Sequence, residues 1–187
     1  MDITTLDPKT ALIVIDLQNG IVGLPTAHPA GEVVKQSRVL LDAFRAHRLP
    51  VVLVNVAGGA PGRTEQARHT GEFPAGWTDL VTELNPQPED HLVTKRTWGA
   101  FVGTDLEQYL KDKGVTQVVM AGVATSIGVE STARQAYELG FNVTLAVDAM
   151  TDLSAETHHN AITRIFPRLG ETGTTAEIVA LLDKTRA

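Results

Sequence analysis

The sequence predicts an α/β protein built on a doubly wound, parallel sheet. Short apolar, β-branched runs recur along the chain, they are apolar throughout rather than in alternation, and helix-length amphipathic segments separate most of them. Continuous apolarity marks strands buried on both faces, and the strand–helix alternation calls for right-handed crossovers over a parallel sheet.

In chain order, the first run is "ALIVID", Ala11 to Asp16, and the second is "PVVLVNV", Pro50 to Val56, after a helix-length segment. The interval from Ala57 to Asp90 then breaks the rhythm. It is rich in Gly and Pro, carries His69 and Trp77, has no clear period, and is too long for an ordinary strand-to-helix connection. A lid or a subunit-contacting arm is the favoured reading, because long insertions in compact domains are usually functional; a plain surface loop is the alternative. "HLVTK", His91 to Lys95, is the third run. Thr104 and Glu107 then have capping-box spacing ahead of a helix that stops at Lys113-Gly114. The fourth run, "TQVVMAGV" from Thr116 to Val123, leads through a small-residue turn into a helix stopping at Leu139-Gly140. "FNVTLAVDA", Phe141 to Ala149, is the fifth, and Thr174 with Glu177 offers a second capping box.

Composition narrows the class. At 187 residues the chain suits one domain spanning 1–187. A net charge of -6 without any Lys/Arg run argues against nucleic acid as a partner. There is no apolar stretch before Ala11 and no run of membrane-spanning length, so neither a secretory signal nor a membrane partner is expected, and the cytoplasm is the expected location. The absence of cysteine excludes disulfides, thiolate metal sites and a thiol nucleophile together.

Ligands of open parallel sheets bind beyond the carboxyl ends of the strands, near the point where strand order reverses. Asp16 follows the first run, Lys95 ends the third, and the turn from Ala124 to Gly128 follows the fourth. An acid, a base and a helix N-terminus whose N–H groups can hold an anion or a developing oxyanion could thus share one pocket. Each also has a plain structural reading: Asp16 as a cap for the next segment, Lys95 as a solvated strand-end lysine, the turn as packing.

Three stretches weigh against the plain readings. "ALIVIDLQNG", "KRTWGAFVGTDLEQYL" and "VMAGVATSIGVESTARQAYELGFNVTLAVDA" resemble the signature blocks of the isochorismatase-like (cysteine hydrolase) superfamily, which includes nicotinamidases, N-carbamoylsarcosine amidohydrolase and isochorismatases. The first block is weakly specific by itself and the third highly so. The resemblance implies a three-layer α/β/α, Rossmann-like fold around a six-stranded, mostly parallel sheet. It implies catalytic roles for Asp16 and Lys95, and it places the family's cysteine position on Gly128. It further implies a cis peptide bond between Val123 and Ala124, with the N–H groups of Ala124 and Gly128 as oxyanion donors. Val123, Thr125 and Gln18 join them as substrate- or oxyanion-binding residues. Trp98 and Phe101 either wall the substrate pocket or pack a core or subunit contact.

Gly128 cannot form an acyl-enzyme, and no neighbouring hydroxyl stands in its place; Ser126 reads as a cap for the following helix rather than a nucleophile. The metal cluster of nicotinamidases has no counterpart in "NVAGGAPGRTEQARHTGEF", where His69 stands without partners, so no metal and no cofactor are expected. The pattern is most similar to a YecD-like subgroup with Gly in place of the catalytic Cys. What remains open to such a protein is Asp-dependent hydrolysis of a small metabolite, a vinyl ether or related compound, as in the family's true isochorismatases. An inactive hydrolase fold binding a small carboxylate or amide is the alternative. Family members are commonly dimers or tetramers, so a homodimer or homotetramer is expected.

Overall fold

The computed structural model describes residues 3–66 and 71–185. His69 lies outside the described residues. Six strands form one sheet: β1 (Thr10–Ile15), β2 (Val51–Val56), β3 (His91–Lys95), β4 (Gln117–Val123), β5 (Asn142–Thr151) and β6 (Glu171–Gly173). Their order is β3-β2-β1-β4-β5-β6, and every pairing is parallel. The order reverses at β1 and β4, where Ile15 lies in register with Val54 on one side and Gly122 on the other. That places Asp16 and the turn after β4 at the crevice where such sheets bind ligands.

Helices cover both faces, giving three layers. On one side α2 (Ala30–Ala46) and α6 (Thr175–Thr185) pack Leu40, Leu41, Phe44, Ile178 and Leu182 against Leu12, Val14 and Leu53. On the other, α3 (Leu106–Asp112) and α4 (Glu130–Glu138) pack Leu106, Leu110, Ala133 and Ala136 against Ala11, Ile13 and Val118. The alternation of β1 side chains between the two cores is the period-two geometry of a strand buried on both faces. In α2, Val33, Ser37, Leu40, Leu41 and Phe44 recur every three to four residues, which lines one helix face with buried groups. Two short helices, α1 (Asn19–Val22) and α5 (Ala155–Asn160), follow β1 and β5.

The sequence signals fare unevenly at the helix ends. Thr174 and Glu177 form a reciprocal box: Glu177 Oε2 accepts the Thr174 N–H at 2.7 Å and Thr174 Oγ1 accepts the Glu177 N–H at 3.3 Å. At Thr104 only half is present. Its Oγ1 accepts from the Leu106 N–H at 3.3 Å, while Glu107 turns along the helix to Lys111. Gly114 and Gly140 both have positive φ, as a left-handed helix stop requires. The strand β6 has only three residues and no apolar run, so no periodicity announces it.

The segment between β2 and β3 is tied down within the chain. The Gly20 N–H donates to Trp77 O at 3.0 Å, the Asn19 N–H to Asp79 O at 2.9 Å and the Val81 N–H to Leu17 O at 3.1 Å. Trp77 lies against Gly20, where any Cβ would overlap the indole, and stacks on Phe73 at 4.0 Å between ring centroids. Trp77 and Phe73 thus have intrachain partners, and both stay partly exposed.

Candidate active site

Asp16 sits one residue past β1 with φ of 53°, a left-handed conformation that aspartate tolerates better than most side chains. Its backbone N–H still donates to Val54 O at 2.9 Å, so the chain turns away only after the last sheet bond. Across the switch point, Gly122 has φ of 123°, and a Cβ there would overlap the Ile15 carbonyl. Glycine is what lets β4 approach the end of β1 this closely. The Val123-Ala124 bond is cis. A π-helical turn, Thr125–Val129, then leads into α4.

Lys95, the last residue of β3, reaches across the end of β2 and places Nζ 2.8 Å from Asp16 Oδ2. Both side chains are nearly inaccessible, at 2% for Lys95 and 7% for Asp16. Lys95 Nζ also donates to Thr97 O at 3.2 Å, whereas Asp16 Oδ1 is buried with no hydrogen-bond partner. Burial raises the Asp16 pKa and the Lys95 ammonium lowers it. Burial wins, and the pKa is pushed up from 3.8 to about 6.

A cavity of about 220 Å³ opens onto this pair, walled by Asp16, Lys95, Val123, Ala124, Gly128 and Trp98, with Ile21, Leu24 and Leu153 among its apolar groups. A Cβ at position 128 would stand 3.2 Å from Asp16 Oδ2, 3.2 Å from Ile15 Cγ2 and 3.5 Å from Val123 O. Glycine thus leaves the space immediately beside the carboxylate to solvent or substrate.

Three residues that the sequence reading placed in binding roles do not border the cavity. Gln18 is fully buried and clamps β1 to β2, its Oε1 accepting the Val56 N–H at 2.7 Å and its Nε2 donating to Val56 O at 3.0 Å. Thr125 is buried with Oγ1 2.8 Å from His158 Nδ1. Phe101 belongs to the core and stacks near Phe141, with centroids 6.2 Å apart. Trp98, by contrast, is 64% exposed and forms part of the rim. Nor does the Ser126 hydroxyl cap the turn. The Ser126 N–H donates to Asp152 Oδ2 at 2.6 Å, and the other oxygen of Asp152 accepts the Leu153 N–H at 2.8 Å. Asp152 was legible by the logic that singled out Asp16, as an acid just past a buried strand. His158 carried no such signal; its pKa is lowered by burial and by the nearby His28, against the opposing charge of Asp152. Among the described residues no three His, Cys, Asp or Glu side chains cluster as a metal site, and no helix is long and apolar enough to cross a membrane.

An α/β/α hydrolase-type scaffold, with an acid and a lysine at its switch point and a helix N-terminus beside them, defines the class. Residues 10–177 match the isochorismatase domain, and the chain belongs to the isochorismatase family. It is 45% identical over 178 residues to the isochorismatase family protein YwoC of Bacillus subtilis (strain 168), covering 91% of this chain and 93% of that protein. Against YecD of Escherichia coli O157:H7 the identity is 43% over 183 residues, covering 92% and 96%. A solved isochorismatase family protein from Burkholderia thailandensis superposes with a TM-score of 0.92 at 42% identity, over 96% of this chain and 98% of that one. The ureidoacrylate amidohydrolase RutB of Variovorax paradoxus (strain S110) is 31% identical over 174 residues, covering 77% of this chain and 69% of that enzyme.

Proposed function

We propose that the protein is a hydrolase that uses Asp16 as a general acid and needs no nucleophile of its own, acting on a small vinyl ether or related metabolite. The observation that supports this best is the Asp16 carboxyl: buried, with Oδ1 unpartnered and a pKa near 6, it holds a proton at mildly acidic pH and gives it up near neutrality. In a vinyl ether, transfer of that proton to the terminal enol carbon forms the new C–H bond and leaves an oxocarbenium ion. Water adds to the cationic carbon and returns a proton to Asp16, giving a hemiketal. Its collapse breaks the C–O bond and releases an alcohol and a ketone, so the net change is the addition of one water.

Lys95 serves this chemistry through Asp16. Its ammonium, 2.8 Å from Oδ2, stabilises the carboxylate formed when the proton leaves. Gly128 leaves room beside that carboxylate for the attacking water. The N–H groups of Ala124 and Gly128, whose residues wall the cavity, are assigned to the oxygen that gains negative charge as the hemiketal collapses. We read residues 1–187 as one domain acting in the cytoplasm as a homodimer or homotetramer. Vinyl ethers, amides and lactams, followed by mass change with the native protein and Asp16→Asn, test the proposal. Turnover of a vinyl ether that is lost in Asp16→Asn is expected. Turnover unaffected by the substitution refutes the mechanism, and ligand binding without turnover of any class points to a binding protein on a hydrolase fold.

A further inference from the structure

We propose that the substrate has two parts: a small hydrolysable head in the cavity beside Asp16, and an anionic tail that leaves over Gly58 and is held by Arg96. The inference rests on the hydrolase reading for the head alone. A cavity of about 220 Å³ falls below the roughly 300–1,000 Å³ of sites that enclose a drug-sized ligand. Its rim residues Gly58 and Trp98 also wall a second, larger cavity of about 920 Å³, so the two cavities are neighbours that share part of a wall. A molecule whose head reaches Asp16 has the outer cavity ahead of its remaining atoms.

Arg96 stands at this edge for a reason visible in β3. β3 ends at Lys95, whose side chain reaches Asp16, and Arg96, the first residue past the strand, lines the second cavity. Lys95 is buried and committed to its contact with Asp16. Arg96 is exposed, and among the described residues it makes no ion pair and a single hydrogen bond, from Nη1 to Ala57 O at 3.0 Å. That bond lays the side chain along the backbone of the rim, where a Cβ on Gly58 would come within 3.3 Å of Arg96 Cγ and 3.5 Å of Nη1. Glycine at 58 thus leaves the side chain its place, and the remaining guanidinium N–H groups are available to a carboxylate or phosphate in the fork geometry that suits both. The exposed Trp98 offers a flat apolar wall for the linker between head and tail. Glu72 also borders the outer cavity, so the discrimination falls on Arg96 itself rather than on a broad positive field.

Saturated ethers, which cannot undergo the proposed hydrolysis, separate binding from chemistry. Calorimetric titration with ω-ethoxyalkanoates of increasing chain length, their methyl esters and the matching ω-ethoxyalkylamines should show the carboxylates binding about tenfold tighter than esters of equal length. That ratio should fall to near one in Arg96→Gln, be partly retained in Arg96→Lys, and shift toward the amines in Arg96→Glu. A carboxylate preference that survives in Arg96→Gln, no preference in the native protein, or no binding of any probe in the millimolar range overturns the proposal. Should the preference hold while vinyl ether turnover proves independent of Asp16, the acid mechanism falls and the tail assignment stands.

Discussion

Replacing Asp16 by Asn exchanges a titrating buried group for a permanently neutral one of the same shape, and the consequence for stability can be worked from the site. The folded pKa of about 6 lies above the ordinary 3.8, so the folded state holds its proton to higher pH than the unfolded chain. The stability linked to that proton is fully present below pH 3.8 and is lost as pH rises through 6. A gap of about two pH units corresponds to about 3 kcal/mol. Asparagine does not titrate, and it leaves the buried Lys95 side chain without its acidic partner. Urea unfolding followed by tryptophan fluorescence between pH 4 and pH 7 should therefore show the variant gaining about 2 kcal/mol relative to the native protein as pH rises, the rest of the change lying below pH 4. Parallel curves, or relative gain by the native protein, would mean that Lys95 stabilises the Asp16 charge more than burial penalises it, and the acid role would lose its basis.

Three further outcomes follow from the same geometry. Gly128→Cys should show little amidase activity, because even its Cβ comes within 3.2 Å of Asp16 Oδ2 and the thiol must crowd the proton donor; vigorous amide hydrolysis by this variant would show that the pocket still suits thiol chemistry. Asp152→Ala should destabilise the protein by about 1–2 kcal/mol in urea unfolding, since it strips the acceptor from the Ser126 and Leu153 N–H groups, and a change of a few tenths would deny it that role. With Leu92, Trp98 and Val102 all more than half exposed, sedimentation at low micromolar concentration should give a dimer or tetramer; a clean 20.0 kDa species would refute the oligomer.

The strands and the chemistry at their ends were legible because burial on both faces writes itself as an unbroken apolar run, and because ligands gather at switch points. Asp16 and Lys95 are far apart in sequence; that rule made both of them candidates, and the resemblance of the three blocks set them in one site. What escaped was local and cooperative. β6 is too short to carry a period, and Thr104 has the spacing of a capping box without its reciprocal bond because Glu107 finds Lys111 one turn on. Phe101 and Trp98 lie three residues apart in one stretch, yet one enters the core and the other the rim, a choice made by tertiary packing that residue type does not disclose. Gln18 follows Asp16 closely, but its amide is engaged with the backbone of Val56 and Trp77.

The central claim, that Asp16 works as a protonated acid, is tested most directly by the pH dependence of kcat/KM on the vinyl ether that the protein turns over. With a free-enzyme pKa of about 6, the account predicts a rate that is level below that value, falls about tenfold per pH unit above it, and is absent from Asp16→Asn. A rate that instead climbs through pH 6, or one that Asp16→Asn leaves intact, would contradict it.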